Sequence, residues 1–110
     1  MYLPKTDIYN SLKSLNYYVS QTQPPVFNDL PAIIFSVGNN IVNTDLDNNI
    51  LSQDLDVTID IWADDSITAS TVLSQVEETM RLNLYTMTSS NDVPNISNLY
   101  HIVSRFTKSI

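Results

Sequence analysis

The sequence predicts an α+β domain: a small, mostly antiparallel sheet of about four strands with two helices packed on one face. Three observations carry this. Leu55, Val57, Ile59 and Ile61 alternate with Asp54, Asp56, Thr58 and Asp60, the period of two of a strand with one apolar and one acidic face. Ala69, Leu73, Val76 and Met80 recur at spacings of four, three and four, one stripe of a helix. Ala32 to Val37 is an apolar, β-branched and aromatic run flanked by Pro31 and Gly38, the pattern of a buried strand. At 110 residues and 43% hydrophobic content, the chain has material for a single domain over residues 1–110.

In chain order, the first element is a short helix over residues 5–15. Ile8, Leu12 and Leu15 share one face, Thr6 or Asp7 supplies the N-cap after Pro4, and Asn16 is the stop. Tyr17 to Val19 is a short β-prone run. Gln21 to Pro25 breaks regular structure, because Pro24 and Pro25 remove two backbone donors. After the 32–37 strand, residues 39–49 are polar and turn-rich, either an irregular continuation of the strand or a loop. The long strand covers 51–63. Asp64, Asp65 and Ser66 then offer side-chain oxygens to the free N–H groups of a helix running to Leu82. Glu77 and Arg81 form an i, i+4 pair in the favourable order, and Asn83 is placed to take the left-handed position, with Leu84 folding back apolar. Residues 86–97, with Pro94, read as a loop, and 99–107 as the last strand. The expected order is α-β-β-β-α-β.

Composition narrows the chemistry. Twelve acids against five bases give a formal charge of −7, so the clustered cations that grip phosphate backbones are missing. There is no Cys, which removes disulfides, thiolate metal sites and thiol nucleophiles. One His and one Gly leave no multi-histidine metal site, P-loop or dinucleotide fingerprint. No apolar stretch approaches membrane-spanning length, and nothing near Met1 resembles a targeting segment, so a cytoplasmic origin is the expectation.

Three candidate sites remain. Asp45, Asp47, Asn49, Gln53 and Asp56 fall at positions one, three, five, nine and twelve of a calcium-loop pattern. Ile50 stands where that loop needs Gly, and Asp56 replaces the bidentate Glu, so the segment reads as an acidic turn entering a strand. Asp54, Asp56 and Asp60 form an acidic row, and neighbouring positions on one strand face, such as Asp54 and Asp56, lie about 6.6–7 Å apart, near the carboxyl separation of inverting glycosidases. No His, Lys or pocket residue accompanies the row in sequence. It is therefore assigned to a solvated, edge-protecting face, or to a surface turned toward a partner or a lumen, ahead of a hydrolase site. His101, alone in an apolar strand, reads as a structural residue or an interface hydrogen-bonder ahead of a catalyst. Asn95-Ile96-Ser97 matches a glycosylation pattern, which carries no meaning without a secretion signal. No catalytic, cofactor-binding or metal residue is assigned.

The chain resembles the tail-completion, or tail-terminator, proteins of long-tailed bacteriophages and their prophage relatives. The likeness runs through Ile8-Tyr9-Asn10-Ser11-Leu12-Lys13, Leu30-Pro31-Ala32-Ile33-Ile34-Phe35 and Val57-Thr58-Ile59-Asp60-Ile61-Trp62-Ala63. It continues through Glu77 to Met80, Leu82 with its cap, and Arg105-Phe106. The family often has Gly where this chain has Asn83, a change the left-handed region tolerates. The resemblance implies a non-enzymatic virion part, made in the bacterial host cytoplasm and forming a ring, commonly a hexamer. Such a ring caps the tail tube, docks on head-connector proteins and passes DNA without binding it specifically. The competing expectation is a small acidic protein-binding or inhibitory module that mimics nucleic-acid charge.

Overall fold

A computed structural model describes residues 3–21, 30–47, 49–94 and 99–110. The order is α1 (Pro4–Lys13), β1 (Tyr18–Gln21), β2 (Ala32–Thr44), β3 (Ile50–Ala63), α2 (Ser66–Leu82), β4 (Thr86–Val93) and β5 (Tyr100–Ser109). They form an α+β fold with two helices and one five-stranded sheet in the order β1-β2-β3-β5-β4. All pairings are antiparallel except that of β1 with β2.

Helix α1 starts at Pro4, earlier than the Thr6 or Asp7 cap implies. The N-cap is Leu3, which makes no side-chain cap. Pro at the first helical position lacks one of the N–H groups that a helix start leaves without an intrahelical acceptor, and it brings its φ already set. Ile8 and Leu12 are buried, and Asn16 stops the segment in the left-handed region at φ 65°. Of the expected break at 21–25, Gln21 instead ends β1, and the remainder lies outside the described residues.

Strands β2 and β3 form a long hairpin. Ile33 pairs with Ile61, Phe35 with Ile59 and Val37 with Val57, and all six side chains face the helices. The register shifts between Val37 and Asn39, at Gly38. The extra residue reverses the inward parity of β2, so Asn40 and Val42 lie opposite Leu55 and Gln53. There the apolar stripe ends in a polar pair: buried Gln53 donates Nε2–H to Asn40 Oδ1 at 2.7 Å. The polar segment after Gly38 thus continues β2 as far as Thr44.

Helix α2 keeps the expected boundaries, 66–82, with Asp65 as its N-cap accepting from Thr68 N at 3.2 Å. Its buried positions are Ala69, Val72, Val76 and Met80, while Leu73 packs half-buried at the margin. Arg81 Nε lies 3.5 Å from Glu77 Oε1. The C-terminus departs from expectation by one residue. Asn83 has φ −92°, and Leu84 takes the left-handed conformation at φ 69°. The Asn83 side-chain amide donates to Thr79 O at 2.8 Å, beside the Asn83 backbone N–H that reaches the same carbonyl at 3.2 Å. Exposed Leu84 does not fold back; buried Tyr85 does, donating its N–H to Met80 O at 2.9 Å.

The predicted 86–97 loop is largely a strand. Thr86–Val93 pairs with β5, with a register shift between Met87 and Ser89, and adds a fifth strand at the sheet edge. On β5, Ile102, Ser104 and Phe106 are buried and Tyr100 is exposed beyond the core. The core lies between the sheet and the two helices, and Tyr17 Oη–H donates to Gln75 Oε1 at 2.6 Å across it.

Candidate functional site

The face of the sheet turned away from the helices follows from parity. With Leu55, Val57, Ile59 and Ile61 inward, Asp54, Asp56, Thr58, Asp60 and Trp62 must point outward. The three aspartates share that face but do not act alike. Asp54 and Asp56 are exposed, and Asp54 Oδ1 accepts from Ser109 Oγ at 2.7 Å. Asp60 is half-buried, with Oδ1 2.9 Å from His101 Nε2. The His101 ring stacks on Trp62, its cross-strand partner, with centroids 3.9 Å apart and planes 12° from parallel. Ala32 and Ile34, opposite Trp62 and Asp60 on β2, are buried as well. The outer face therefore has a wet acidic end at Asp54 and Asp56 and a shielded aromatic end at Trp62 and His101.

The Asp60 carboxylate and His101 ring satisfy one another, and the Trp62 stack fixes the ring. Asp56 lines a shallow groove of about 330 Å³ with Thr58, Thr88, Arg105 and Thr107, without Asp54 or Asp60. Among the described residues, no three His, Asp or Glu side chains converge as a metal site would need. No helix among them is long and apolar enough to cross a membrane.

The calcium-like segment divides between a turn and a strand. Asp45 Oδ1 accepts from the backbone N–H groups of Asp47 and Asn49, each at 2.9 Å, and Oδ2 accepts from Asn49 Nδ2 at 3.2 Å. The Asn49 backbone N–H, then the Asn49 side-chain amide, hold the Asp45 carboxyl below the usual carboxylate range. Gln53 and Asp56 belong to β3, with Gln53 turned inward to Asn40. The sequon at Asn95 to Ser97 lies outside the described residues.

Two features escape the sequence reading. The ladder between β3 and β5 ends at Asp54 and Ser109, with one further backbone pair between Gln53 and Ile110. Past that point the described residues pair only β2 with β3, and the hairpin runs on as a two-stranded arm. At the root of the arm, Leu3, Pro4, Lys5, Thr6, Val37 and Asn40 line a groove of about 460 Å³. A second groove of about 370 Å³ adjoins it through Lys5 and Thr6 and reaches Tyr9, Gln21 and Phe35. The arm had a sequence signal: β-prone residues on both sides of the Asp/Asn-rich turn at 45–49. The groove had none, because α1 and β2 meet there only through the fold.

No protein-family model matches the sequence, and no curated protein matches it either. Among solved structures, the chain is similar to a chain in the virion of a native gene transfer agent (GTA) particle. The TM-score is 0.60 at 14% identity, over 91% of this chain and 88% of that one. The two chains share a fold.

Proposed function

We propose that this chain is a structural subunit of a phage-type particle, a tail-completion or head–tail joining protein. It caps the tail tube, docks it to the head-connector proteins and works as a ring, without enzymatic activity. The observation that carries this reading is the fold shared with a GTA virion chain over 91% of this chain. The sequence resemblance to tail-terminator proteins supports the finer assignment. The acidic end of the outer face supports a role as a lumen or docking surface. Carboxylates at Asp54 and Asp56 keep such a face wet and repel DNA phosphates, so a genome passes without being held.

The test is electron microscopy of particles assembled with an Asp54→Lys, Asp56→Lys, Asp60→Lys variant and of particles lacking the protein, together with infectivity counts. Loss of the protein is expected to give unjoined or overlong tails. The variant is expected to give joined particles that deliver DNA poorly if the row lines the lumen, or unjoined tails beside normal heads if it docks. Normal particles in its absence would refute the assignment. A charge-mimicking inhibitor, the second reading of the same acidic face, would leave particle morphology untouched and bind a basic protein instead.

A further inference from the structure

We infer that the tip of the β2–β3 arm seats in the groove at the arm's root on a second copy of this chain. This inference deepens the ring reading above and rests on it. Leu46 stands at the tip at 103% exposure, between Asp45 and Asp47. The groove at the root offers the complement. Leu3, Pro4 and Val37 supply apolar walls, and Lys5 supplies a cation at its rim. Leu3 is itself 62% exposed, so the groove presents apolar surface to water as Leu46 does. Asp45 is tied into its own turn, and exposed Asp47 is the carboxylate placed to meet Lys5 when Leu46 enters.

The occupant must be another molecule. Leu46 lies about 20 Å along an extended strand from Asn40, which lines the groove, so the tip cannot fold back onto its own root. A two-stranded hairpin is marginal by itself in water, and a seat on a neighbour supplies the burial it lacks. Tip and root are different surfaces, so the contact is head-to-tail. Repetition of such a contact closes a ring when the rotation permits.

The test uses the absence of Cys from the chain, so introduced thiols are the only ones. Leu46→Cys and Thr6→Cys variants are mixed, oxidised mildly and run on a non-reducing gel. The expected result is a heterodimer in clear excess over either homodimer, and a ladder of covalent multimers from a chain carrying both substitutions. Sedimentation is expected to show Leu46→Asp weakening self-association about ten- to hundredfold, with circular dichroism unchanged. Lys5→Glu is expected to weaken it too, and Asp47→Lys to restore it in the Lys5→Glu chain. Statistical dimers, tip-to-tip dimers, oligomers that do not cross-link, or a monomer at every accessible concentration would each overturn the inference. Particles that need the protein but show no cross-link would sink the arm contact alone. A specific cross-link with normal particles in the protein's absence would sink the tail-completion assignment and leave the contact standing.

Discussion

At the scale of single residues, the alternation along β3 makes an inside and an outside that mutation can separate. Ile59 is wholly buried beneath the helices, so Ile59→Ala leaves a cavity and is expected to cost about 2–5 kcal/mol in denaturant unfolding. Asp56→Asn, three residues away on the exposed face, is expected to be near neutral; equal costs would mean that the register of β3 is wrong. Ser104 offers a second contrast. Its hydroxyl is buried in the core stripe of β5 with no hydrogen-bond partner among the described residues. Removing a buried polar group that bonds nothing relieves its desolvation cost. Ser104→Ala is therefore expected to match or exceed the parent in thermal midpoint. A clear loss would mean that the hydroxyl is bonded. The parity of the Asp row was legible in the sequence because it is local. The bond from Asp60 to His101 and the stack on Trp62 were not, because they depend on the register between two strands far apart in the chain.

At the scale of elements, what could be read depended on how much apolar signal each segment carries. Strand β3 and helix α2 bury regular stripes, and their boundaries came close to the structure. Strand β4 has only Met87 and Val93 as apolar residues in Thr86–Val93, because it lies at an edge with most side chains in water. Its strand character comes from the ladder to β5, which a single-segment pattern cannot reveal. The distal half of β2 was one of two readings of residues 39–49, and the irregular continuation is the one the structure shows. Two of the turns that bound these elements are held by carboxylates, and they share a pH dependence. Asp65 caps α2 through Thr68, and its pKa is lowered, mainly by the Thr68 hydroxyl and then by the Thr68 backbone N–H. Asp45 organises the arm's turn in a similar way, held below the usual range by Asn49. A pKa depressed by folding gives stability that is complete above the unfolded value of about 3.9 and lost as pH falls through the folded value. Thermal midpoints should thus fall more steeply below about pH 4 in the parent than in an Asp45→Asn, Asp65→Asn chain. Asn still caps but does not titrate. Parallel curves from pH 6 to pH 3 would show that neither carboxylate is linked to folding.

At the scale of the whole molecule, charge decides what the chain can hold. The formal charge is −7, and the five cations are dispersed. Arg81 is beside Glu77, Lys108 lies over the Tyr85 ring at 5.0 Å, and Arg105 shares a groove with Asp56. Phosphate binding depends on several cations acting together, each releasing counterions, so scattered ones give almost no affinity. The parent chain is therefore expected to produce no change in anisotropy of labelled duplex DNA, even at low salt, where electrostatic binding is strongest. Asp54→Lys, Asp56→Lys and Asp60→Lys each remove one negative charge from one sheet face and add one positive charge to it. The combined variant moves most of the way to neutrality and concentrates its new cations on one surface. It is expected to bind DNA measurably at low salt, with affinity falling linearly in log–log against salt concentration. That pair of results would tie DNA repulsion to the outer face of the sheet, as a conduit lining requires. If the parent bound DNA, a passive conduit would be refuted. If the variant did not bind either, the three positions would not act as one surface, and the acidic end would serve solubility alone.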